Sequence, residues 1–216
     1  MLIPSFAVGR AQLLQHMLTT LMANGSIPRL PIYLDSPMAI DVSDIYCRYH
    51  SQHRLTPQQC KAMCQVPTYT RSVEASKALA GQAYPHIIIA GSGMASGGRI
   101  LHHFKRLLGN PGTTVLFTGY QAGGTRGAKM TSGAEAVKIH GKWVPMRADV
   151  RVLAGLSGHG DYLELAQWLD KSALKQDTAI RLVHGEPEAL EGMRDYLGLH
   201  TAFRAEVARK GTTLTL

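Results

Sequence analysis

Residues 86–98 read HIIIAGSGMASGG and are followed by an apolar spacing through Ile100, Leu101 and Phe104. A β-branched run that ends in glycines is typical of a strand, and the spacing after it predicts a helix. The same strand-to-helix junction recurs at residues 2–21, 30–46 and 114–127. Strands that alternate with helices predict an α/β fold built on a doubly wound parallel sheet.

The glycine-rich turn at 91–98 has two interpretations. Glycines free backbone N–H groups at a helix N-terminus, and Ser92 and Ser96 add donors, so the turn could bind an anion. The second interpretation is structural, because a tight crossover from strand to helix also needs small residues. The turn is neither a P-loop, since no Gly-Lys-Ser/Thr follows it, nor a correctly spaced dinucleotide fingerprint.

Two histidines, His159 and His184, have similar sequence settings. Each follows a predicted strand, at residues 150–153 and 180–183, and precedes a predicted helix. Chemistry collects at the carboxyl ends of strands in a parallel sheet, which makes both histidines candidate functional residues. The alternative is that each only caps a helix or fills a turn.

The helices after the histidines carry end signals. Asp161 and Glu164 have the spacing of a capping box, and the first helix is expected to bury Leu165, Trp168 and Leu169. The second helix is expected to lie between Pro187 and Gly198. Earlier helices should start at Thr56-Pro57 and at Ser72, and a turn at His140-Gly141 predicts a β-hairpin.

The formal net charge of +8 is unevenly distributed. From Arg99 to Arg151 the sequence has nine lysines and arginines against two acids, a local excess of 9 − 2 = 7. Such a segment attracts polyanions and would make binding to nucleic acid depend steeply on salt. A solvated face kept basic for solubility is the competing interpretation.

Composition limits the class of protein. The 216 residues, 45% of them hydrophobic, are enough for a globular chain with one large domain or two small ones. We find no apolar run long enough for a membrane span and no signal peptide, so cytoplasm is the expected location and no membrane partner is expected. Cys47, Cys60 and Cys64 are too few for a disulfide framework. We expect Cys60 and Cys64 to be buried free thiols rather than metal ligands.

Five short segments stand out in chain order. They are IPSFAVGRAQ (3–12), LDSPMA (34–39), SGM (92–94), GYQ (119–121) and SGHGD (157–161). Each motif alone is weak, but their order along nearly the whole chain is specific. Together they resemble the β-CASP branch of the metallo-β-lactamase-fold nucleases, which includes bacterial RNA-processing nucleases and the endonuclease subunit of the eukaryotic messenger-RNA cleavage and polyadenylation machinery.

The resemblance implies a split architecture. Residues 1–148 would form most of a Rossmann-like β-CASP domain, and residues 149–216 the returning C-terminal portion of a metallo-β-lactamase αββα fold. By the resemblance, the catalytic histidine is His159, which acts on the scissile phosphate or the leaving group, and His184 is a zinc ligand. The complete family site holds two zinc ions and cleaves phosphodiester bonds, here expected in RNA.

One departure from the family is clear. The His-x-His-x-Asp-His motif that builds most of the family's metal site does not occur among the ten histidines. We therefore expect a C-terminal fragment or truncated reading frame that does not retain zinc and is inactive by itself, because a catalytic zinc takes three or more protein ligands. The expected partners are RNA or another nucleic acid, the missing N-terminal metallo-β-lactamase half and a second copy of the chain.

Three functions remain open on the sequence. The first is the metal-dependent ribonuclease, the second a non-catalytic nucleic-acid-binding module or scaffold, and the third an unrelated α/β enzyme that binds a phosphorylated small molecule at residues 91–98. Some residues are candidate phosphate contacts by position, although any of them could be a helix cap or a surface charge. These candidate substrate-binding residues are Arg10, Ser36, Ser92, Gly93 and Arg126.

Overall fold

The computed structural model describes residues 1–175 and 177–213. The chain divides into two compact units, Met1–Leu156 and Ser157–Leu216. Within the described residues, no helix combines the length and the apolar character needed to cross a membrane.

The first unit is organised by a six-stranded parallel sheet in the order β3-β2-β4-β1-β5-β8. β1 lies in the middle, where Leu2 pairs with Ile88 on one side and with Val115 on the other. The six strands are β1 (Leu2–Pro4), β2 (Ile32–Asp35), β3 (Thr68–Tyr69), β4 (Ile87–Ala90), β5 (Thr114–Phe117) and β8 (Asp149–Val152).

Helices cover both faces of this sheet, which confirms the predicted doubly wound α/β fold. Side chains alternate along β4, so Ile87 and Ile89 join the cluster with α1 and α2, whereas Ile88 and Ala90 join the cluster with α5 and α6. The helices are α1 (Arg10–Ala23), α2 (Pro37–Arg48), α3 (Pro57–Gln65), α4 (Val73–Ala78), α5 (Ile100–Leu107) and α6 (Arg126–Thr131), with 3-10 turns at His50–Gln52 and Leu79–Gly81.

The helix starts agree with the capping signals. Thr56 forms a capping box with Gln59, and Ser72 accepts a hydrogen bond from the backbone N–H of Ala75, so both predicted starts are confirmed. The predicted hairpin is confirmed as β6 (Ala136–Ile139) and β7 (Lys142–Pro145). Its turn residues His140 and Gly141 both have positive φ, at 46° and 80°, as a type I′ turn requires.

The second unit contains α7 (Tyr162–Asp170), β9 (Ile180–Leu182), α8 (Pro187–His200) and β10 (Ala205–Val207). β9 and β10 pair in parallel. The capping box is confirmed, because Asp161 and Glu164 each accept a hydrogen bond from the other's backbone N–H, both at 2.9 Å.

Two expectations about the second unit are wrong. α7 buries Ala166 and Leu169, while Leu165 and Trp168 are 46% and 66% exposed, because the local core is too small to cover the whole apolar face. α8 continues through Gly198 to His200 rather than ending before Gly198. A helix that is packed through Leu197 tolerates one interior glycine at a cost of about 1 kcal/mol.

The sheet continues past the predicted domain boundary at 148/149. β8 pairs with β5 over its whole length, and the first compact unit ends at Leu156. The assignment of residues 149–216 to the metallo-β-lactamase domain stays a prediction.

The cysteine expectation is wrong for one residue. Cys47 and Cys64 form a disulfide, and Cys60 is the free, buried thiol. α2 and α3 pack side by side, which brings the end of one helix next to the end of the other. Burial raises the pKa of the Cys60 thiol.

Candidate functional site

The carboxyl edge of the first unit's sheet collects the loops that follow β1, β2, β4 and β5. The chain leaves β1 toward the face covered by α1 and leaves the neighbouring strand β4 toward the face covered by α5. Loops that diverge in this way open a crevice at the edge of the sheet, where α/β proteins bind their ligands.

Close backbone packing explains the glycines in the loop after β4. A Cβ atom on Gly93 would lie 2.6 Å from the Phe6 ring, and one on Gly98, where φ is +72°, would lie 2.3 Å from the carbonyl oxygen of Gly91. The Ser92 hydroxyl accepts hydrogen bonds from the backbone N–H groups of Ser96 and Gly97, at 3.1 and 3.2 Å. These contacts support a tight crossover, and they use the backbone N–H groups of Ser96 and Gly97 that an anion would need as donors.

Two more of the predicted phosphate contacts have partners within the chain. Ser36 is the N-cap of α2 and accepts from the backbone N–H of Ala39 at 3.3 Å. Arg126 donates through Nε to the Lys138 carbonyl oxygen at 2.9 Å and through Nη1 to that of Ala95. Arg126 therefore ties α6 to the hairpin and to the glycine-rich turn.

Arg10 differs from the other candidates. It begins α1 and is half-buried, and its Nη1 is a buried nitrogen without a hydrogen-bond partner among the residues that the structure describes. Its Nη2 lies near Gly119, 3.9 Å from where a Cβ would stand. Gln121 links the loops after β4 and β5 near this guanidinium, because its Nε2 donates to the carbonyl oxygens of Gly93 and Gly119 at 3.2 and 3.1 Å. Arg10 thus holds a free donor where the loops after β1, β4 and β5 meet.

A buried ionic network below this edge escaped the sequence analysis. The Asp35 side chain is fully buried at the end of β2 and accepts hydrogen bonds from Arg99 Nη1 (2.8 Å), His103 Nε2 (2.7 Å) and Ser76 Oγ (2.6 Å). Burial alone would raise the pKa of Asp35, but the hydrogen bonds from His103, Ser76 and Arg99 hold its pKa below the ordinary value.

The network positions the start of α5. Arg99 also donates to the carbonyl oxygens of Thr70 and Arg71, at 2.9 and 2.7 Å, so one guanidinium joins β2, the loop after β3 and the glycine-rich turn. One feature of the sequence indicated this network. Asp35 stands at the end of a predicted strand, and a buried carboxylate needs a hydrogen-bonded or cationic partner. The sequence did not indicate which of the cations that partner would be.

His159 lies in the second unit, in the loop between β8 and α7. Its side chain is exposed, and its backbone N–H donates to the Ser157 hydroxyl at 3.1 Å. β8 ends at Val152, so a loop separates His159 from the strand that was expected to carry it. The local turn and the capping box that follows fix the backbone on both sides of the ring.

His184 follows β9 and is also exposed. Its φ of +63° is in the left-handed region, which is uncommon for a residue with a Cβ atom. A Cβ atom on the next residue, Gly185, would lie 2.8 Å from the Leu190 side chain, so the chain turns tightly into α8. This turn determines the direction in which His184 is presented.

The described residues do not form a zinc site on their own. Among them, no group of three or more histidine, cysteine, aspartate or glutamate side chains is arranged to hold a metal ion. Zinc in a catalytic site takes at least three protein ligands, so His184 could supply only one of them.

Comparison with known proteins identifies the family. Residues 11–130, more than half of the chain, match the Beta-Casp domain, and residues 143–207 match the Zn-dependent metallo-hydrolase RNA specificity domain. The chain belongs to the β-CASP family. The first match covers α1 through most of α6, and the second runs from β7 to β10 across the boundary between the two units.

Three relatives of this β-CASP chain are informative. Ribonuclease TTHA0252 of Thermus thermophilus is 42% identical over 92% of this chain and 46% of its own length. The RNase J-like protein of Methanocaldococcus jannaschii is 33% identical over 86% of this chain and 42% of its own length. The transcription termination factor FttA of Methanosarcina mazei is 30% identical over 87% of this chain and 31% of its own length. The chain thus spans about half, or less, of the length of these relatives.

Proposed function

We propose that this chain forms the RNA-binding part of a zinc-dependent phosphodiester hydrolase and does not cleave RNA by itself. The observation that carries the proposal is the pairing of a Beta-Casp match with an RNA specificity match in a chain whose described residues supply no complete zinc site. The names of two relatives, a ribonuclease and an RNase J-like protein, support RNA as the substrate class. A cytoplasmic location stays a prediction.

The two histidines have separate proposed roles. His159, exposed and held by turns on both sides, acts on the scissile phosphate or donates a proton to the leaving oxygen. His184 supplies one zinc ligand, and a metallo-β-lactamase part supplies the others. Zinc would polarise the phosphoryl oxygen in the completed site.

The carboxyl edge of the first unit guides the RNA backbone in this proposal. Arg10 is the first candidate for a phosphate contact, because its half-buried side chain lies where the loops after β1, β4 and β5 meet and one of its guanidinium nitrogens has no partner among the described residues. Ser36, Ser92, Gly93 and Arg126 shape the loops around it and are secondary candidates for phosphate contacts. Exposed cations elsewhere in the first unit add to its positive charge: Lys105, Arg106, Lys129, Lys138, Lys142 and Arg147.

Three measurements on the purified 216-residue chain test the proposal. Filter binding of a single-stranded RNA should show affinity at low salt that falls steeply as salt rises. Elemental analysis should find far less than one zinc per chain, and an RNA cleavage assay with added zinc or manganese should show no product. Stoichiometric zinc together with turnover would refute the inactivity, and a lack of RNA binding at low salt would refute the substrate class.

A matched pair of variants tests Arg10. Arg10→Ala should weaken RNA binding roughly 10- to 150-fold, since a hydrogen bond to a charged group contributes about 1.5–3 kcal/mol. Arg29→Ala removes an exposed arginine elsewhere in the first unit and should change the affinity less than twofold. Equal effects of both substitutions would contradict a specific contact at Arg10.

A non-catalytic RNA-binding scaffold is the second candidate function. The exposed cations between Arg99 and Arg151 favour it, since they require no metal. Self-association stays a prediction of its own, and sedimentation of the chain with and without RNA would measure it.

A further inference from the structure

A groove in the first unit lies between the start of α6 and the β6–β7 hairpin. Its volume is about 550 Å³, and we refer to it as the hairpin groove. No acidic side chain is among its lining residues. They include Ser96, Thr125, Arg126, Lys129, Lys138 and Trp143.

The hairpin groove is positively charged, and two of its cations are not paired with any described carboxylate. Lys129 and Lys138 are exposed, and within the described part of the chain neither forms an ion pair with a carboxylate. Arg126 is held in the same groove by its hydrogen bonds to the carbonyl oxygens of Lys138 and Ala95. Two exposed lysines beside one hydrogen-bonded arginine favour an anionic ligand with several charges.

An aromatic surface accompanies these charges. Trp143 is 70% exposed and pairs across the hairpin with Lys138. An indole this exposed contributes little to the core, and its flat face suits the stacking of a nucleobase.

The hairpin that carries Trp143 is anchored. Val137, Ile139 and Val144 are buried in the large core cluster below the sheet, with Val144 adjacent to Trp143 on β7. The alternation along β7 therefore places Val144 inward and Trp143 outward. A fixed aromatic face pays little conformational entropy when a ligand stacks on it.

We propose that the hairpin groove binds a single-stranded segment of RNA, with phosphates at Lys129 and Lys138 and one base stacked on Trp143. This inference rests on the proposed function, because it extends the path of the same substrate beyond the carboxyl edge of the sheet. Ser96 and Thr125 come from the loops at that edge, so the groove continues from it. An acidic peptide would use the lysines but would leave the indole unused.

The experiment measures binding of an oligouridylate by tryptophan fluorescence and by filter retention. The chain has two tryptophans, and a Trp168→Phe background leaves Trp143 as the reporter. Stacking should quench this fluorescence, and Trp143→Ala should weaken retention roughly 5- to 100-fold, the range found when a stacking residue is truncated.

The lysines are tested against a matched control. Lys129→Ala and Lys138→Ala should each reduce the slope of log affinity against log salt by about 0.7, as the loss of one phosphate contact to a single strand does. Lys61→Ala, an exposed lysine on α3 outside the groove, should leave the slope unchanged. Circular dichroism of each variant checks that the fold is kept.

The binding measurements distinguish a failure of the hairpin groove from a failure of the proposed function. RNA binding without quenching, and with groove variants that behave like Lys61→Ala, would overturn the hairpin groove and leave the proposed function standing. No RNA binding at low salt would overturn both. Tighter binding of an oligoglutamate peptide of equal charge than of the oligouridylate would replace RNA by an acidic protein segment at this groove.

Discussion

The two units of this chain differ in how they treat polar and apolar side chains. In the first, Asp35 is fully buried and hydrogen-bonded on both carboxylate oxygens, and apolar clusters lie on both faces of the sheet. Among the described residues of the second, five buried residues form the core, and both motif histidines are exposed. The first unit therefore has an extensive buried core, whereas the second has a small core and exposes its motif histidines.

The exposed apolar residues of the second unit strengthen this contrast. A small unit with this much uncovered apolar surface gains stability when another protein segment covers it. The larger buried core and the two motif histidines therefore belong to different units of the chain. The exposed side chains are Tyr162, Leu163, Leu165, Trp168, Leu174, Val183 and Leu199.

The largest expected effect is on the first unit. Asp35→Ala leaves His103 and Arg99 without their carboxylate, and breaking a buried ion pair in this way costs about 3–5 kcal/mol. Hydrogen exchange of the β4 amides should report this loss in the free energy of opening. Asp44→Ala breaks an exposed pair with Arg71 and should change the free energy of opening far less, because water screens the two charges.

This comparison can fail in a recognisable way. If Asp35→Ala and Asp44→Ala destabilised β4 equally, the buried network would not be what holds the carboxyl edge. The contrast between the two units would then depend on apolar burial alone.

The next effect tests whether the second unit has a core of its own. Leu197 is fully buried in α8, and Leu197→Ala should cost about 2–4 kcal/mol, measured by exchange of the α8 and β9 amides. Leu199→Ala removes a side chain that is 80% exposed and should stay within about 0.5 kcal/mol. The β4 amides should not respond to either change. A matching response in β4 would mean that the two units unfold together.

The sequence was sufficient for features that are set locally. Strands β1, β2, β4 and β5, the starts of α3 and α4, the hairpin turn at His140 and the capping box at Asp161 depend on neighbours within a few residues, so short-range spacing predicted them. The doubly wound sheet followed because alternating strands and helices have few ways to pack.

Features that depend on distant residues could not be predicted in the same way. Asp35 and His103 are 68 positions apart, and which cations reach a buried carboxylate is decided by packing. The Cys47–Cys64 disulfide depends on how α2 lies against α3. The exposure of Trp168 depends on how much apolar surface the rest of its unit can cover, which helical spacing does not show.

The same limit applies to the candidate site. Position alone made Arg10, Ser36, Ser92, Gly93 and Arg126 equivalent candidates. Hydrogen bonding gives them different roles, because the Ser36 and Ser92 hydroxyls accept from backbone N–H groups and the Arg126 guanidinium donates to backbone carbonyl oxygens, whereas the Arg10 Nη1 has no partner among the described residues. The roles of His159 and His184 stay predictions.

The smallest expected effect is the pH dependence of the first unit. Hydrogen bonds hold the pKa of Asp35 below its ordinary value of about 3.9. A depressed pKa in the folded state contributes stability that is fully present above the unfolded pKa and is lost as pH falls through the folded pKa. Protection of the β4 amides should therefore decrease below about pH 4, by less than in Asp35→Ala, because a protonated carboxyl still accepts hydrogen bonds. Asp35→Asn should flatten this dependence, and Asp44→Asn should leave it unchanged. A slope that persists in Asp35→Asn would assign the acid sensitivity to other carboxylates and remove Asp35 as the distinguishing feature of the first unit.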